Sequence, residues 1–98
     1  MKIIWSYTAH RTFKENLLYL KKEWDNRTII TFINKVDLEV KKLSENPYLG
    51  SVLDDKYRKL LIVKQIYAIY RITDKQEIFI LTFWNNYQNP ERLTKLLS

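Results

Sequence analysis

Ninety-eight residues, 46% hydrophobic and fourteen per cent aromatic, bound the chain to a single domain (1–98) with one modest core, and argue against disorder. With no cysteine and one histidine, it has neither a disulfide framework nor thiolate chemistry nor the usual zinc constellations, so no metal or small-molecule cofactor is expected. Seventeen Lys and Arg against eleven Asp and Glu give a formal charge of +6, which favours an anionic partner such as nucleic acid, the ribosome or an acidic protein.

Lys2 to Tyr7 is β-branched and aromatic, as a first strand requires. Thr8 follows as a candidate N-cap. Ala9, Phe13, Leu17, Leu20 and Trp24 then recur at spacings that share one helical face. Lys14, Glu15, Lys21 and Lys22 fall largely off that stripe. Asp25-Asn26 breaks the pattern and can cap a second helix. Its stripe is Ile29, Ile33, Val36, Val40 and Leu43, running to about Ser44. Asn46-Pro47 ends it, because proline disfavours helical geometry in its predecessor and donates no amide hydrogen bond. So short a break between the helices predicts an antiparallel hairpin.

Pro47 to Lys56 reads as a loop holding the only glycine, Gly50. The period then switches to two. Tyr57–Lys64, Tyr67–Ile72 and Glu77–Trp84 read as three strands joined by short breaks, an antiparallel meander. Both faces of the first of these carry apolar residues, so its helix-facing side is left open. Pro90 opens a short last helix with Leu93, Leu96 and Leu97 on its apolar side. The predicted fold is α+β, in the order β-α-α-β-β-β-α, with the helical hairpin packed on a mostly antiparallel four-stranded sheet. No apolar run approaches the ~20 residues that cross a bilayer and no secretory leader is evident, so a cytoplasmic protein without a membrane partner is expected.

Chemistry-bearing motifs are sparse. The chain has no glycine-rich phosphate loop, no HExxH and no GxSxG. His10 reads as a surface residue on the first turn of a helix. The strongest candidate surface lies between Lys56 and Ile72, where Lys56, Arg58, Lys59, Lys64 and Arg71 occur without an acidic residue. Arg58 and Lys59 are adjacent and leave opposite faces of a strand. Arg58 and Lys64 share parity, and Arg71 on the next strand can join them in a phosphate-binding cluster. The alternative is that these charges protect strand ends and edges from aggregation. Tyr57, Tyr67, Tyr70, Phe83, Trp84 and Tyr87 interleave with the patch. Bases can stack on such rings, although Tyr70 and Phe83 read as core. Tyr87, within the polar run Asn85-Asn86-Tyr87-Gln88-Asn89, is expected to be exposed. Lys56, Lys59, Trp84 and Asn86 are the candidate nucleic-acid- or partner-binding residues.

Asn46-Pro47 through Gly50, Tyr57-Arg58-Lys59-Leu60, Tyr67-Ala68-Ile69-Tyr70-Arg71-Ile72, and Phe83-Trp84-Asn85-Asn86 with Asn89-Pro90 together resemble the RelE/ParE toxin superfamily. The likeness is particularly to plasmid-stabilisation toxins with a tryptophan at the end of the last strand. It runs from the first strand to the terminal helix, and its specificity lies in the order of the motifs. The resemblance implies the toxin of a type II toxin–antitoxin pair, wrapped and silenced by the disordered tail of a cognate antitoxin. It implies one of two targets. RelE-like members are mRNA interferases, cleaving messenger RNA in the ribosome through attack of a 2′-hydroxyl on the adjacent phosphate; ParE-like members are DNA gyrase inhibitors. For cleavage, the resemblance assigns Arg58 to the catalytic arginine at the start of the second strand, with Lys64 and Arg71 as helpers. Tyr87 stands where similar toxins carry arginine in an Asn-Arg-Gln-Asn-Pro-like run. Tyrosine can act as a general acid or a stacking ring, but carries no permanent positive charge. The alternatives are a non-toxic nucleic-acid- or protein-binding module, or an inactive relic of the toxin fold.

Overall fold

The two apolar stripes of the first half become helices α1 (Tyr7–Glu23) and α2 (Asn26–Glu45), following strand β1 (Ile3–Trp5). The computed structural model describes all 98 residues, Met1–Ser98. Asp25 caps α2 as expected, its carboxylate accepting the Thr28 amide at 3.0 Å. The cap of α1 is Ser6 and not Thr8: the Ala9 amide reaches Ser6 Oγ at 2.8 Å, and Thr8 lies inside the first turn. The chain leaves β1 at Trp5, two residues before the end of its apolar run at Tyr7, so the serine takes the capping position.

Four further strands follow: β2 (Ser51–Val52), β3 (Arg58–Val63), β4 (Ile66–Ile72) and β5 (Ile78–Asn85), before α3 (Pro90–Leu97). The sheet order is β1-β5-β4-β3-β2. β3, β4 and β5 form the expected antiparallel meander, and β1 joins β5 in parallel, Ile3 against Ile78. Five strands replace the expected four, because the segment read as a loop before Lys56 contributes β2, pairing Ser51 with Lys59 and Val52 with Arg58. A two-residue strand has too few positions for alternation to register.

The two faces of the sheet have different fates. Ile62, Ile66, Ala68, Tyr70, Ile78, Ile80 and Phe83 meet Ala9 and Leu20 of α1 and Phe32, Val36 and Leu43 of α2 in the main core. Leu60 packs beside them, so the Leu60–Ile62 side of β3 is the one that meets the helices. Each fully buried Val, Leu, Ile or Phe among them contributes about 1.5–3 kcal/mol. Ile29, Val36, Val40 and Leu43 of the expected α2 stripe face the core, while the fully buried Phe32 takes the place of Ile33, which is exposed. On the outer face, Tyr57, Ile69 and Trp84 form a second cluster under Leu93 and Leu97 of α3. No helix is long and apolar enough to cross a membrane.

Where β1 stops, α1 takes over its partner's edge. The Ser6 amide donates to Ile80 O at 3.0 Å and Ser6 Oγ to Leu81 O at 2.6 Å. One turn on, the Phe83 amide donates to Thr12 Oγ1 at 2.9 Å, and Asn16 Nδ2 donates to Phe83 O at 3.0 Å. Thr12 and Asn16 are both buried. Two polar side chains thus complete a strand edge that would otherwise carry unpaired buried groups.

Candidate functional site

Register decides which basic residues of the strands meet. Arg58 lies directly opposite Tyr70 and so belongs to the helix side. Lys59 lies opposite Ile69, on the outer face, and Arg71 shares that face two residues further along β4. Lys59 and Arg71 are therefore diagonal neighbours, about 7–8 Å apart by ordinary sheet spacing. A register shift between Leu61 and Val63 removes Lys64 from the parity of Arg58. Lys64 sits in the β3–β4 turn with φ 53°, about 20 Å along the strand from Arg58 by the usual rise per residue. Arg58, Lys64 and Arg71 do not form the cluster expected from simple alternation.

Each of these cations lies over an aromatic ring. On the outer face Lys56 Nζ is 5.9 Å from the Tyr57 centroid, Lys59 Nζ is 5.3 Å from Tyr67, and the Arg71 guanidinium is 5.2 Å from its cross-strand partner Phe79. Leu61, 48% exposed, adjoins them at the β3 edge. The structure has two ion pairs, Arg11–Glu15 and Lys42–Glu39, and both lie on helices. No carboxylate neutralises Lys56, Lys59 or Arg71. Beside the part that α3 covers, the outer face of β3 and β4 thus carries three cations, each over a ring, an arrangement suited to phosphate or to an acidic protein segment.

Arg58 is engaged otherwise. Its Nη1 donates to Gly50 O at 2.7 Å, and its guanidinium lies 5.0 Å from the Tyr48 ring. Beside it the buried Tyr70 hydroxyl donates to Pro47 O at 2.8 Å and accepts the Gly50 amide at 2.9 Å. A Cβ at Gly50 would meet Lys59 O at 2.7 Å and Tyr70 Oη at 2.8 Å, so only glycine fits. Burial raises the Tyr70 pKa above its ordinary 10.0, against the lowering effects of the Gly50 amide and the Arg58 charge. Arg58 and Tyr70 latch the Pro47–Gly50 segment to the sheet.

The remaining candidates lie at the far end. Lys64 Nζ is 4.4 Å from the Trp24 ring. Trp84, at 6% exposure, is packed under α3 and offers no open stacking surface. Asn86 is exposed, its amide donating to Gln65 O at 2.9 Å. Tyr87 is 74% exposed, its ring edge-on to Tyr19 at 6.4 Å. His10 is an exposed helix residue beside Trp5. Tyr67 is one of the rings that sequence reading interleaves with the patch, whereas Phe79 escapes it, because its place opposite Arg71 depends on cross-strand register.

A helical hairpin packed on one face of a five-stranded, mostly antiparallel sheet defines a small α+β fold. Several solved structures share it, among them the following three. A chain of the chromosomal ParDE toxin–antitoxin system from P. aeruginosa superposes with a TM-score of 0.71 at 17% identity, covering 87% of this chain and 95% of that one. The YoeB/ParE toxin from Agrobacterium tumefaciens gives 0.62 at 14% identity, covering 85% and 95%. YoeB from Staphylococcus aureus, solved as a dimer, gives 0.58 at 16%, covering 85% and 93%. No family model and no curated protein matches the sequence.

Proposed function

We propose that the chain is the toxin of a type II toxin–antitoxin pair, held silent by a cognate antitoxin. The observation that carries the reading is the outer sheet face, where Lys56, Lys59 and Arg71 stand without acidic partners on a fold shared with ParE and YoeB toxins. Such a face fits an acidic, partly apolar antitoxin tail that folds on binding, and equally a polyanionic target once the tail is gone.

Of the two targets, DNA gyrase is favoured over ribosome-bound messenger RNA. Strand cleavage through a 2′-hydroxyl needs a proton-transfer group and a cation at one phosphate. Arg58 is bonded to Gly50 O, Lys64 lies at the opposite end of β3, Arg71 is on the other face and Tyr87 is beyond the end of β5. Arrest by binding asks only for the charged face. Inducible expression in bacteria, with and without co-expression of any small reading frame that adjoins the gene, tests the toxin role. Arrest relieved by the neighbour is expected, and normal growth with soluble protein contradicts it. Purified protein should then inhibit gyrase supercoiling; ribosome-dependent transcript cleavage without that inhibition would reverse the choice of target.

A further inference from the structure

No residue of α3 is fully buried, and the helix holds to the sheet through Leu93 and Leu97. Between α3 and α1 lies a small cleft of about 100 Å³. Thr8, Arg11 and Glu15 of α1 line it, together with Trp84, Gln88 and Arg92. None of the cations of the sheet face belongs to it. Trp84 is 6% exposed and packs with Tyr57 and Ile69 in the outer cluster. Its indole N–H meets no acceptor within the protein. No fully buried side-chain polar atom lacks a partner, so this N–H keeps its access to solvent, and the cleft is where Trp84 opens.

The polar groups around the cleft divide into spent and free. The Thr12 hydroxyl donates to Thr8 O at 2.7 Å and accepts the Phe83 amide at 2.9 Å, and the Thr82 hydroxyl is turned to it at 3.3 Å. Glu15, half exposed, is tied through one oxygen to Arg11 Nη1 at 2.7 Å. Arg11 keeps the other end of its guanidinium, and Arg92 has no carboxylate partner. The Thr8 hydroxyl and the Gln88 carboxamide can each donate or accept. Arg11 and Arg92 against Glu15 leave the cleft one positive charge in surplus. Its only obligate acceptor, Glu15, is already engaged, whereas the guanidiniums and the indole can do nothing but donate.

We propose that the cleft binds one small tetrahedral oxyanion of the phosphate class, held by Arg92, the free end of Arg11 and the Trp84 indole N–H, and that the bound ion ties α3 to α1. A guanidinium fork matches two oxygens of such an ion, and donors arriving from α1, β5 and α3 suit four oxygens better than the two of a carboxylate. The size is right as well. A water takes about 30 Å³ of the liquid, so the cleft holds roughly three, close to one phosphate group and far short of a nucleotide. Glu15 works against binding, and neutralising it should tighten the site. The oxyanion can be free phosphate or the terminal group of a small phosphomonoester whose remainder lies in solvent. The inference stands apart from the toxin reading, because it uses none of Lys56, Lys59 and Arg71 and is read by binding.

The test titrates the intact protein with inorganic phosphate, glycerol 3-phosphate and sodium chloride at matched ionic strength, following the indole N–H resonances and the amide exchange of α3 by NMR. With either phosphate the Trp84 indole resonance should move and saturate. Exchange in α3 should slow about tenfold at ten times the dissociation constant. Arg92→Gln should weaken binding about tenfold, and Glu15→Gln should tighten it about threefold. Both positions are exposed, so the variants should fold normally. Tighter binding of glycerol 3-phosphate identifies a phosphomonoester as the ligand; equal or tighter binding of inorganic phosphate identifies the free ion. Equal shifts with chloride, a Trp84 resonance that does not move, undiminished binding by Arg92→Gln or weaker binding by Glu15→Gln would overturn the proposal.

Discussion

Replacing Tyr70 with phenylalanine removes one buried oxygen and leaves the ring in place. That oxygen joins two backbone groups, accepting from the Gly50 amide at 2.9 Å and donating to Pro47 O at 2.8 Å. The Gly50 amide is buried, and losing its acceptor costs about 1–3 kcal/mol. The Pro47 carbonyl is only part-buried and can take a water, so its loss adds about 0.5–1 kcal/mol. Tyr70→Phe should therefore destabilise the fold by about 2–3 kcal/mol, a large fraction of the 5–15 kcal/mol typical of a domain. For a chain of this length each kcal/mol moves Tm by about 4–8 °C, so a fall of roughly 10–15 °C is expected by far-UV circular dichroism. The variant should also lose an alkaline component of the unfolding curve. The native pKa of Tyr70 lies above 10.0, so its contribution is present below that pH and is lost as pH rises through the native value. A Tm within 2 °C of wild type, or melting curves that stay parallel at high pH, would refute the latch. Lys59 and Arg71 are untouched by the change, so toxicity should survive at permissive temperature.

Arg58→Ala should lower stability by about 1–2 kcal/mol, because it removes the bond to Gly50 O; urea denaturation with unchanged m would show it. Thr12→Val orphans the Phe83 amide and should cost about 1–3 kcal/mol, with faster hydrogen exchange at Phe83 as the local signature. The Asp25 carboxylate is held below its ordinary 3.8 by hydrogen bonds from the Thr28 amide and hydroxyl. Its contribution is present above that value and is lost as pH falls through the native pKa, so the stability gap between wild type and Asp25→Asn should close in acid.

The architecture was legible because its signals are long. Two helical stripes, the Asp25 cap, the Asn46-Pro47 stop and three runs at period two survive any local irregularity. What escaped reading was short or depended on register. β2 has two residues, and the shifts between Leu61 and Val63 and between Ile69 and Tyr70 break the alternation from which face membership was inferred. Arg58 and Arg71 fall on opposite faces for another reason, the cross-strand register that sets Arg58 opposite Tyr70 and Lys59 opposite Ile69, which parity within one strand cannot give. Thr12 and Asn16 passed unremarked because they are polar, yet they lie between Ala9 and Leu20 on the buried side of α1. A threonine and an asparagine four residues apart within a buried stripe are a usable sign that a helix is completing a strand edge.

Growth of bacteria expressing wild type or the Lys59→Ala/Arg71→Ala double variant bears most directly on the role of the outer face. Arrest by wild type and normal growth with the folded, soluble double variant are predicted. Arrest of equal strength by both proteins would contradict the assignment of toxicity to this face.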